Sequence, residues 1–273
     1  MIDLEQSHYG FQDLLEIMAR LRQKEGGCPW DLAQTHESIR RNFIEEAYEA
    51  AEAIDQRDDA HLCEELGDVL LQVVFHAQIA REAGAFDMDD VCTGICKKLI
   101  LRHPHIFGTA DRLTDAGQTL DLWEEVKRKE KHQQTYTDAM NDVARSLPAL
   151  IYAEKVQSRA KRSGFDWPEV SGALDKLREE TAELEQAMDQ KDRAEEELGD
   201  LLFAAVNVAR RLELDPEQAL MRATQKFMKR FALVEQAAGD KLRTMSLPEM
   251  TALWEQAKQQ TAGDRKGSGS VRF

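Results

Sequence analysis

Apolar residues recur along most of the chain with the spacing of an α-helix, in which every third or fourth position lies on one face. The clearest stretch runs from residue 66 to residue 77, and a second stretch from 198 to 209 repeats it. Alternation with the period of two that a half-buried strand requires is scarce. The pattern therefore predicts an all-α protein, with apolar helix faces formed by Leu66, Val69, Leu70, Val73, Val74 and Ala77 and by Leu198, Leu201, Leu202, Ala205 and Ala209.

Polar residues beside the apolar stretches mark helix starts. Asp215, followed by a proline, is typical of an N-cap before the first helical residue. Ser246 with Glu249 three residues later predicts a capping box. Ser171 and Thr35 are predicted to cap the two helices that carry the first acidic motif of each copy described next.

An acidic pattern occurs twice and organises the chain. Residues 45–49 read Glu-Glu-Ala-Tyr-Glu, and residues 64–68 read Glu-Glu-Leu-Gly-Asp. Residues 179–183 and 196–200 repeat these motifs at offsets of 134 and 132 residues. Two copies of one helical unit explain the recurrence better than chance does, because basic and aromatic positions recur as well: Lys98 with Lys226, Arg102 with Arg230, Trp123 with Trp254 and Lys127 with Lys258.

The repeat predicts two tandem domains. We expect an N-terminal helical domain over residues 11–131 and a C-terminal helical domain over residues 148–262. Residues 132–147 are polar and lack a clear apolar period, so a linker is predicted there. Residues 263–273 contain Gly-Ser-Gly-Ser and are expected to form a flexible tail.

Composition and charge narrow the classes of function. The 273 residues carry a net charge of −15 with no compensating basic stripe, which argues against a long nucleic acid as partner. The four cysteines form no Cys-x-x-Cys pair and fit reduced thiols. The first residues lack a signal-peptide pattern and no apolar run reaches membrane-spanning length, so we expect a cytoplasmic protein with no membrane partner.

Each acidic motif places two carboxylates on one helix face, because residues three apart are neighbours on a helix. If the two helices of one copy pack antiparallel, four carboxylates converge and repel one another unless a cation neutralises them. Oxygen ligands of this kind suit Mg²⁺, with Mn²⁺ as a substitute. The predicted ligands are Glu180, Glu183, Glu197 and Asp200 in the second copy and Glu46, Glu49, Glu65 and Asp68 in the first.

A solvated helix face and a di-iron centre account for the acidic motifs less well than a hard-cation site does. A solvated face explains a single Glu-rich run, but it does not explain recurrence in the same Leu-Gly-Asp context. A di-iron centre requires Glu-x-x-His on its helices, and none of the motifs carries a histidine at that position. Gly67 and Gly199 precede the aspartates and indicate either close helix approach or room for a ligand, because glycine within a helix is otherwise unfavourable.

The basic and aromatic positions suit a triphosphate. A lysine and an arginine four residues apart share a helix face and supply a point charge and a bidentate fork. Trp254 and Trp123, each four residues before a lysine, fit stacking on a base or closure over it. They also fit the role of core anchors, and the sequence leaves both roles open.

The combination of EExxE, EE-x-GD, K-x-x-x-R and W-x-x-x-K resembles the MazG nucleoside triphosphate pyrophosphohydrolase family, over about residues 11–260. Residues 27–31 and 102–107 of the first copy also look like MazG signatures. The resemblance implies an all-α pyrophosphatase fold, a homodimer, Mg²⁺ as cofactor and ATP among the nucleotides bound. It implies hydrolysis of a nucleoside triphosphate to the monophosphate and pyrophosphate, with water attacking the α-phosphate, and it places the activity in the C-terminal copy.

The resemblance also assigns roles to residues of the second copy. Glu180, Glu183, Glu197 and Asp200 match the metal ligands, and Lys226, Arg230, Trp254 and Lys258 match nucleotide-contacting positions. Lys176 and Arg193 are further predicted substrate contacts, although Arg193 stands where the family often has lysine. The base that accepts the proton of the attacking water is predicted to be Glu179 or Glu196.

The first copy retains a second candidate site, for which we expect a structural or regulatory role. Its residues are Glu46, Glu49, Glu65, Asp68, Lys98, Arg102, Trp123 and Lys127. The alternative function for the whole chain is a regulatory or scaffold protein that binds Mg–nucleotide without turnover. A purely structural helical dimer is a third, weaker hypothesis.

Overall fold

The computed structural model describes residues 7–108, 115–131 and 133–263, and every regular element in these ranges is helical. The prediction of an all-α protein is confirmed. Within these ranges no helix combines the length and the hydropathy that spanning a bilayer requires. The α-helices are α1 (Phe11–Leu21), α2 (Pro29–Ala33), α3 (Arg40–Gln56), α4 (Asp59–Glu82), α5 (Met88–Arg102), α6 (Pro104–Phe107), α7 (Ala116–Glu130), α8 (Tyr136–Asn141), α9 (Ala149–Lys161), α10 (Val170–Ala187), α11 (Lys191–Arg211), α12 (Pro216–Ala238) and α13 (Leu247–Gly263), with a 3₁₀ turn at Gly239–Thr244.

The chain divides into two compact units, Met1–Lys127 and Arg128–Phe273. This division places the predicted linker, residues 132–147, within the second unit, where α8 packs against α9. Thr135 begins α8 because its side chain accepts a hydrogen bond from the Asp138 backbone N–H, while the Asp138 carboxylate accepts one from Thr135. The predicted tail lies outside the described residues from residue 264 onward.

The first unit is built around α4, which packs against both α1 and α3. Its buried core consists of Met18 from α1, Ile39 just before α3, and Val74 and Phe75 from α4. Burying a side chain of this size stabilises the fold by about 1.5–3 kcal/mol. An ion pair between Arg22 and Glu82, with a separation of 2.8 Å, ties the end of α1 to the end of α4.

The second unit is built around the pair α10 and α11, which a three-residue connection joins and which therefore run antiparallel. Helices α9 and α12 pack against α11 and against each other, and α13 packs on α12. Small residues are buried in it, among them Ala173, Ala187 and Ala204. The Asp166–Arg210 ion pair, 2.5 Å, fixes the segment before α10 to the end of α11.

The predicted helix starts are partly correct. Asp215 caps α12 by accepting a hydrogen bond from the Gln218 N–H at 3.0 Å, and the backbone N–H of Ser246 donates to Glu249 at 2.8 Å. The caps predicted at Ser171 and Thr35 are wrong. Helix α10 already begins at Val170, and α3 begins only at Arg40, because a separate turn stabilised by the Thr35 side chain precedes it.

The apolar face predicted on α4 is only half covered within the described structure. Val74 and Ala77 are buried, whereas Leu66 is 54% exposed and Leu70 is 37% exposed. The corresponding face of α11 behaves in the same way, with exposed leucines at positions 198 and 202. Periodicity correctly locates the apolar face of each helix, but it does not tell which part of that face a neighbour covers.

Candidate functional site

Three glutamates of the second unit form a compact cluster, which we name the second triad: Glu180 and Glu183 on α10, and Glu197 on α11. One carboxylate oxygen from each lies within 4.8 Å of the others. The i, i+3 spacing places the first two on one face of α10, and the packing of α10 against α11 brings the third to them. The structure thus brings together three of the four predicted ligands.

Glu180 is the buried member of the second triad, with 4% of its surface exposed. One carboxylate oxygen lies 2.6 Å from the Lys176 ammonium, and the second, Oε2, is buried with no hydrogen-bond partner. An unsatisfied buried acceptor costs about 1–3 kcal/mol, and more when it is charged. The cluster therefore contains an oxygen that a bound cation would satisfy.

The three carboxylates of the second triad repel one another. Burial, together with the negative charges of Glu180 and Glu197, raises the pKa of Glu183 above its ordinary value, and the charge of Lys176 partly offsets this. The pKa of Lys176 is raised because it donates hydrogen bonds to Glu179 and to Glu180. Arg193 lies 3.5 Å from Glu197. Two protein cations thus already compensate three carboxylates.

The remaining acidic residues predicted for this site lie around the triad. Asp200 is exposed and is not a member of the closely spaced group. Glu179 and Glu196 are both exposed. Glu179 pairs with Lys176 at 2.7 Å, while no ion pair of Glu196 occurs in the described ranges.

The basic and aromatic residues on α12 and α13 are engaged in contacts of their own. The Arg230 Nε donates to the Thr261 hydroxyl at 3.0 Å, and Lys258 pairs with Glu255 at 2.6 Å. Lys226 is exposed. The Trp254 ring packs against Phe227, with 5.1 Å between ring centroids. In the described part of the chain none of these side chains hydrogen-bonds with the second triad.

The first unit contains the equivalent cluster, which we name the first triad: Glu46 and Glu49 on α3, and Glu65 on α4. One oxygen from each again lies within 4.8 Å of the others. Here the buried member is Glu65, 7% exposed, whose Oε2 is buried without a partner and whose Oε1 lies 2.9 Å from His61 Nε2. Burial, followed by the charge of Asp68, raises the pKa of Glu46.

The basic and aromatic set of the first unit packs differently from its counterpart. The guanidinium of Arg102 lies 5.0 Å from the centre of the Trp123 ring, and the Lys127 ammonium lies 5.4 Å from it. Arg102 is buried, while Lys98 is exposed. Trp123 is therefore a platform for two cations, whereas Trp254 packs against another aromatic ring.

The two helix glycines have no close neighbours. A Cβ built on Gly67 or on Gly199 meets no heavy atom within 4 Å outside the local helix backbone. Close helix approach is therefore not the reason for glycine at these positions. The alternative, that glycine leaves room for a ligand, stays a prediction.

The ion pairs that distinguish the triads were not predicted from the sequence. The 134-residue offset places Asn42 at the position of Lys176, and the 132-residue offset places His61 at the position of Arg193. Both cations of the second unit lie four residues before a triad glutamate, a spacing that puts them on the same helix face. Aligning the two copies at these positions would have revealed the difference.

Both triads fit a hard divalent cation. All their ligands are carboxylate oxygens, and each triad contains a buried carboxylate oxygen that nothing in the described structure satisfies. Fold and site together define a class of protein: a tandem all-α protein with a carboxylate-lined cation site on one helix pair of each unit.

Comparison with known proteins agrees with this class. The MazG nucleotide pyrophosphohydrolase domain matches residues 34–107 and 169–234. The chain is 45% identical over 251 residues to the nucleoside triphosphate pyrophosphohydrolase/pyrophosphatase MazG of Thermotoga maritima, covering 91% of this chain and 95% of that protein. It is 44% identical over 254 residues to the nucleoside triphosphate pyrophosphohydrolase of Escherichia coli (strain K12), covering 90% and 96%. The chain belongs to the MazG family of nucleotide pyrophosphohydrolases.

Proposed function

We propose that this protein hydrolyses nucleoside triphosphates, ATP among them, to the monophosphate and pyrophosphate, and that the second unit carries out the reaction with Mg²⁺. The observation that carries the proposal is the second triad, in which a buried, unpartnered oxygen of Glu180 lies among three carboxylates and two cations. Family membership and the names of the two relatives support the reaction.

Glu180, Glu183 and Glu197 would hold the cation, and Asp200, three residues after Glu197 on α11, is proposed as a further ligand. Bound Mg²⁺, for which Mn²⁺ can substitute, would supply charge neutralisation and polarisation at the phosphates and activation of a water. Lys176 and Arg193 now compensate these carboxylates. Once a cation takes over that role, both side chains can turn to the substrate phosphates.

Lys226, Arg230 and Lys258 are proposed to hold the β- and γ-phosphates. The hydrogen bond from Arg230 Nε to Thr261 orients its guanidinium and leaves the two terminal nitrogens for a bidentate contact. Trp254 packs on Phe227, so we propose that it anchors α13 on α12 and offers only its remaining edge to the sugar or base.

The proton of the attacking water is proposed to pass to Glu196. Glu179 is the second candidate, but its ion pair with Lys176 makes it the poorer proton acceptor. Replacing each residue by glutamine separates the two, because the base variant loses turnover while it retains nucleotide binding.

The test is pyrophosphate release from each ribo- and deoxynucleoside triphosphate, with and without Mg²⁺, by the native protein and by Glu183→Gln. Glu185→Gln, an exposed position on the same helix, is the matched control. Loss of metal-dependent release in the first variant alone supports the proposal. Nucleotide-induced stabilisation without any pyrophosphate release by the native protein would instead identify a binding protein.

We further propose that the protein forms a homodimer and is located in the cytoplasm. Leu66 and Leu70 on α4, and Leu198 and Leu202 on α11, leave apolar helix faces exposed, as an interface between two copies would require. The four cysteines are free thiols, which suits a reducing compartment. Sedimentation should give the mass of a dimer, and Leu198→Glu or Leu66→Glu should convert it to a monomer if the corresponding face forms the interface.

A further inference from the structure

We infer that two histidines of the first unit, His36 and His76, form a binding site for a transition-metal ion of the Zn²⁺ or Cu²⁺ type. The two imidazole rings face each other, and the packing around them holds them in place. The site uses neither triad, and its existence does not depend on nucleotide hydrolysis by the chain.

The two rings meet through their Nδ1 atoms. These atoms are 2.8 Å apart, the ring centroids are 5.1 Å apart and the ring planes differ by only 5°. At this distance the two nitrogens share one proton, which one ring donates and the other accepts. Two imidazole nitrogens that bind one tetrahedral Zn²⁺ lie about 3.3 Å apart, so an opening of about 0.5 Å, with a tilt of the rings, admits the ion.

The core of the first unit positions both histidines. His36 lies in the turn before α3, close in sequence to Ile39, and His76 directly follows Phe75 on α4. Ile39 and Phe75 are both buried members of the core. The ring of Phe43 packs edge-on to His76, with 5.9 Å between ring centroids. The two imidazoles are therefore ordered before a metal arrives, so binding loses little side-chain entropy.

Both rings can serve as neutral ligands. Burial, followed by the charge of His36, lowers the pKa of His76 below its ordinary value of 6.5, so His76 is predominantly neutral at pH 7. The ring that carries the shared proton on Nδ1 becomes a ligand when it releases that proton and takes one up at Nε2, which leaves the net charge of the pair unchanged. The carboxylate of Glu37 lies near enough to His36 for their charges to interact, and its negative charge attracts a cation to the pair.

The donor atoms select the metal. Imidazole nitrogens suit Zn²⁺ and Cu²⁺, whereas Mg²⁺ prefers the oxygen ligands of the triads. Water fills the coordination positions that two protein ligands leave open. A bound ion links the turn before α3 to α4, and its binding energy adds to the stability of the first unit.

The histidine site is separate from the first triad and has no counterpart in the second unit. His76 follows Glu65 by 11 residues on α4, a distance of about 16 Å along the helix axis. The offsets of 134 and 132 residues place Val170 and Val208 at the positions of the two histidines. We therefore expect one such site per chain.

Zn²⁺ titration of the full-length protein against a chromophoric chelator, in a large excess of Mg²⁺ to occupy the triads, tests the site. His36→Gln and His76→Gln should each weaken Zn²⁺ binding by about tenfold or more, the scale on which even the loss of a supporting partner weakens a metal site. His103→Gln, at a half-buried histidine of the same unit, is the matched control and should bind as the native protein does. Absence of Zn²⁺ binding by the native protein, or full affinity in both variants of the pair, would overturn the inference.

Cu²⁺ bound at one equivalent identifies the ligand atoms. Electron paramagnetic resonance of the native protein should show splitting by two nitrogens, and His76→Val, which copies the residue of the second unit, should lose the splitting by at least one of them. Coordination by oxygen alone in the native protein would place the ion in a triad and refute the site. A native protein that binds Zn²⁺ through the two histidines but releases no pyrophosphate would refute only the proposed function.

Discussion

Each unit places three glutamates on an equivalent pair of helices, yet the surroundings of the two triads differ. In the first unit the buried glutamate is Glu65 on the second helix of the pair, and a histidine holds it. In the second unit it is Glu180 on the first helix, and a lysine holds it. The comparison teaches that both units have the same three carboxylates, while residues one helical turn away set the net charge that each cluster offers to a metal or a substrate.

The largest expected effect is on the rate of turnover, and it distinguishes the two units. Glu183→Gln should lower metal-dependent pyrophosphate release by about a hundredfold or more, because it removes a ligand that positions the charge-neutralising cation. The corresponding first-unit change, Glu49→Gln, should lower it by less than about tenfold, an indirect effect through that unit's stability. Steady-state release of pyrophosphate measures both, and a larger loss in Glu49→Gln would assign the chemistry to the first unit.

The next effect is on the free energy of unfolding, and it comes from the ion pairs that stabilise each unit. The side chains of Asp166 and Arg210 are largely shielded from solvent, 12% and 8% exposed, so Asp166→Asn should destabilise the second unit by about 3 kcal/mol at neutral pH. In the first unit Glu82 is 35% exposed, so Glu82→Gln should cost only about 1 kcal/mol. Denaturant unfolding of the two variants gives both values, and equal losses would contradict the argument from burial.

The same pair predicts a pH dependence with a definite sign. Hydrogen bonds from Arg210 hold the pKa of Asp166 below its ordinary value of 3.8. Because the folded-state pKa is depressed, the stabilisation is fully present above the unfolded-state pKa and is lost as the pH falls through the folded-state pKa. The stability difference between the native protein and Asp166→Asn should therefore shrink in acid below about pH 3.8.

A smaller effect concerns the open helix glycines. Gly67→Ala and Gly199→Ala should each stabilise the protein by about 1 kcal/mol, because both sites lie within helices and the new methyl group meets no neighbour. If Gly199 leaves room for the substrate, its alanine variant should also lose about tenfold in turnover, whereas Gly67→Ala should keep it. Melting temperature and pyrophosphate release together separate the two consequences, and full activity of Gly199→Ala would remove the ligand role of that glycine.

The smallest effect concerns charge repulsion in the metal-free protein. The pKa values of Glu46 and Glu183 are raised above 4.5 in the folded protein, so their ionisation lowers stability as the pH rises from 4.5 through the raised values. At pH values above the raised pKa values, removing one charge should increase the melting temperature. We expect an increase of about 2 °C for Glu46→Gln and a smaller one for Glu183→Gln, because the charge of Lys176 partly offsets the repulsion in the second triad. Calorimetry after chelation measures both shifts, and Mg²⁺ should abolish the advantage of the variants.

Local spacing predicted much of the site, because residues three or four apart on a helix must share a face. It correctly paired Glu180 with Glu183 on α10. It did not foresee that Lys176 and His61, each four residues before the buried glutamate of its own triad, would be the neighbours that distinguish the triads. It also did not show that Trp254 packs on Phe227 while Trp123 lies under two cations, since those contacts join residues on different helices.

The sequence by itself determined the all-α class, the tandem repeat, the family and the carboxylate chemistry, because each depends on residue type and on short, regular spacing along one helix. Only the tertiary structure decided which glutamate of each triad is buried and that Asp200 lies apart from the compact group of three. It also decided which carboxylate oxygens lack a donor. These properties depend on how α3 packs against α4 and how α10 packs against α11. A periodic pattern of apolar residues predicts that such helices pack together, but it does not predict which polar atoms become buried when they do.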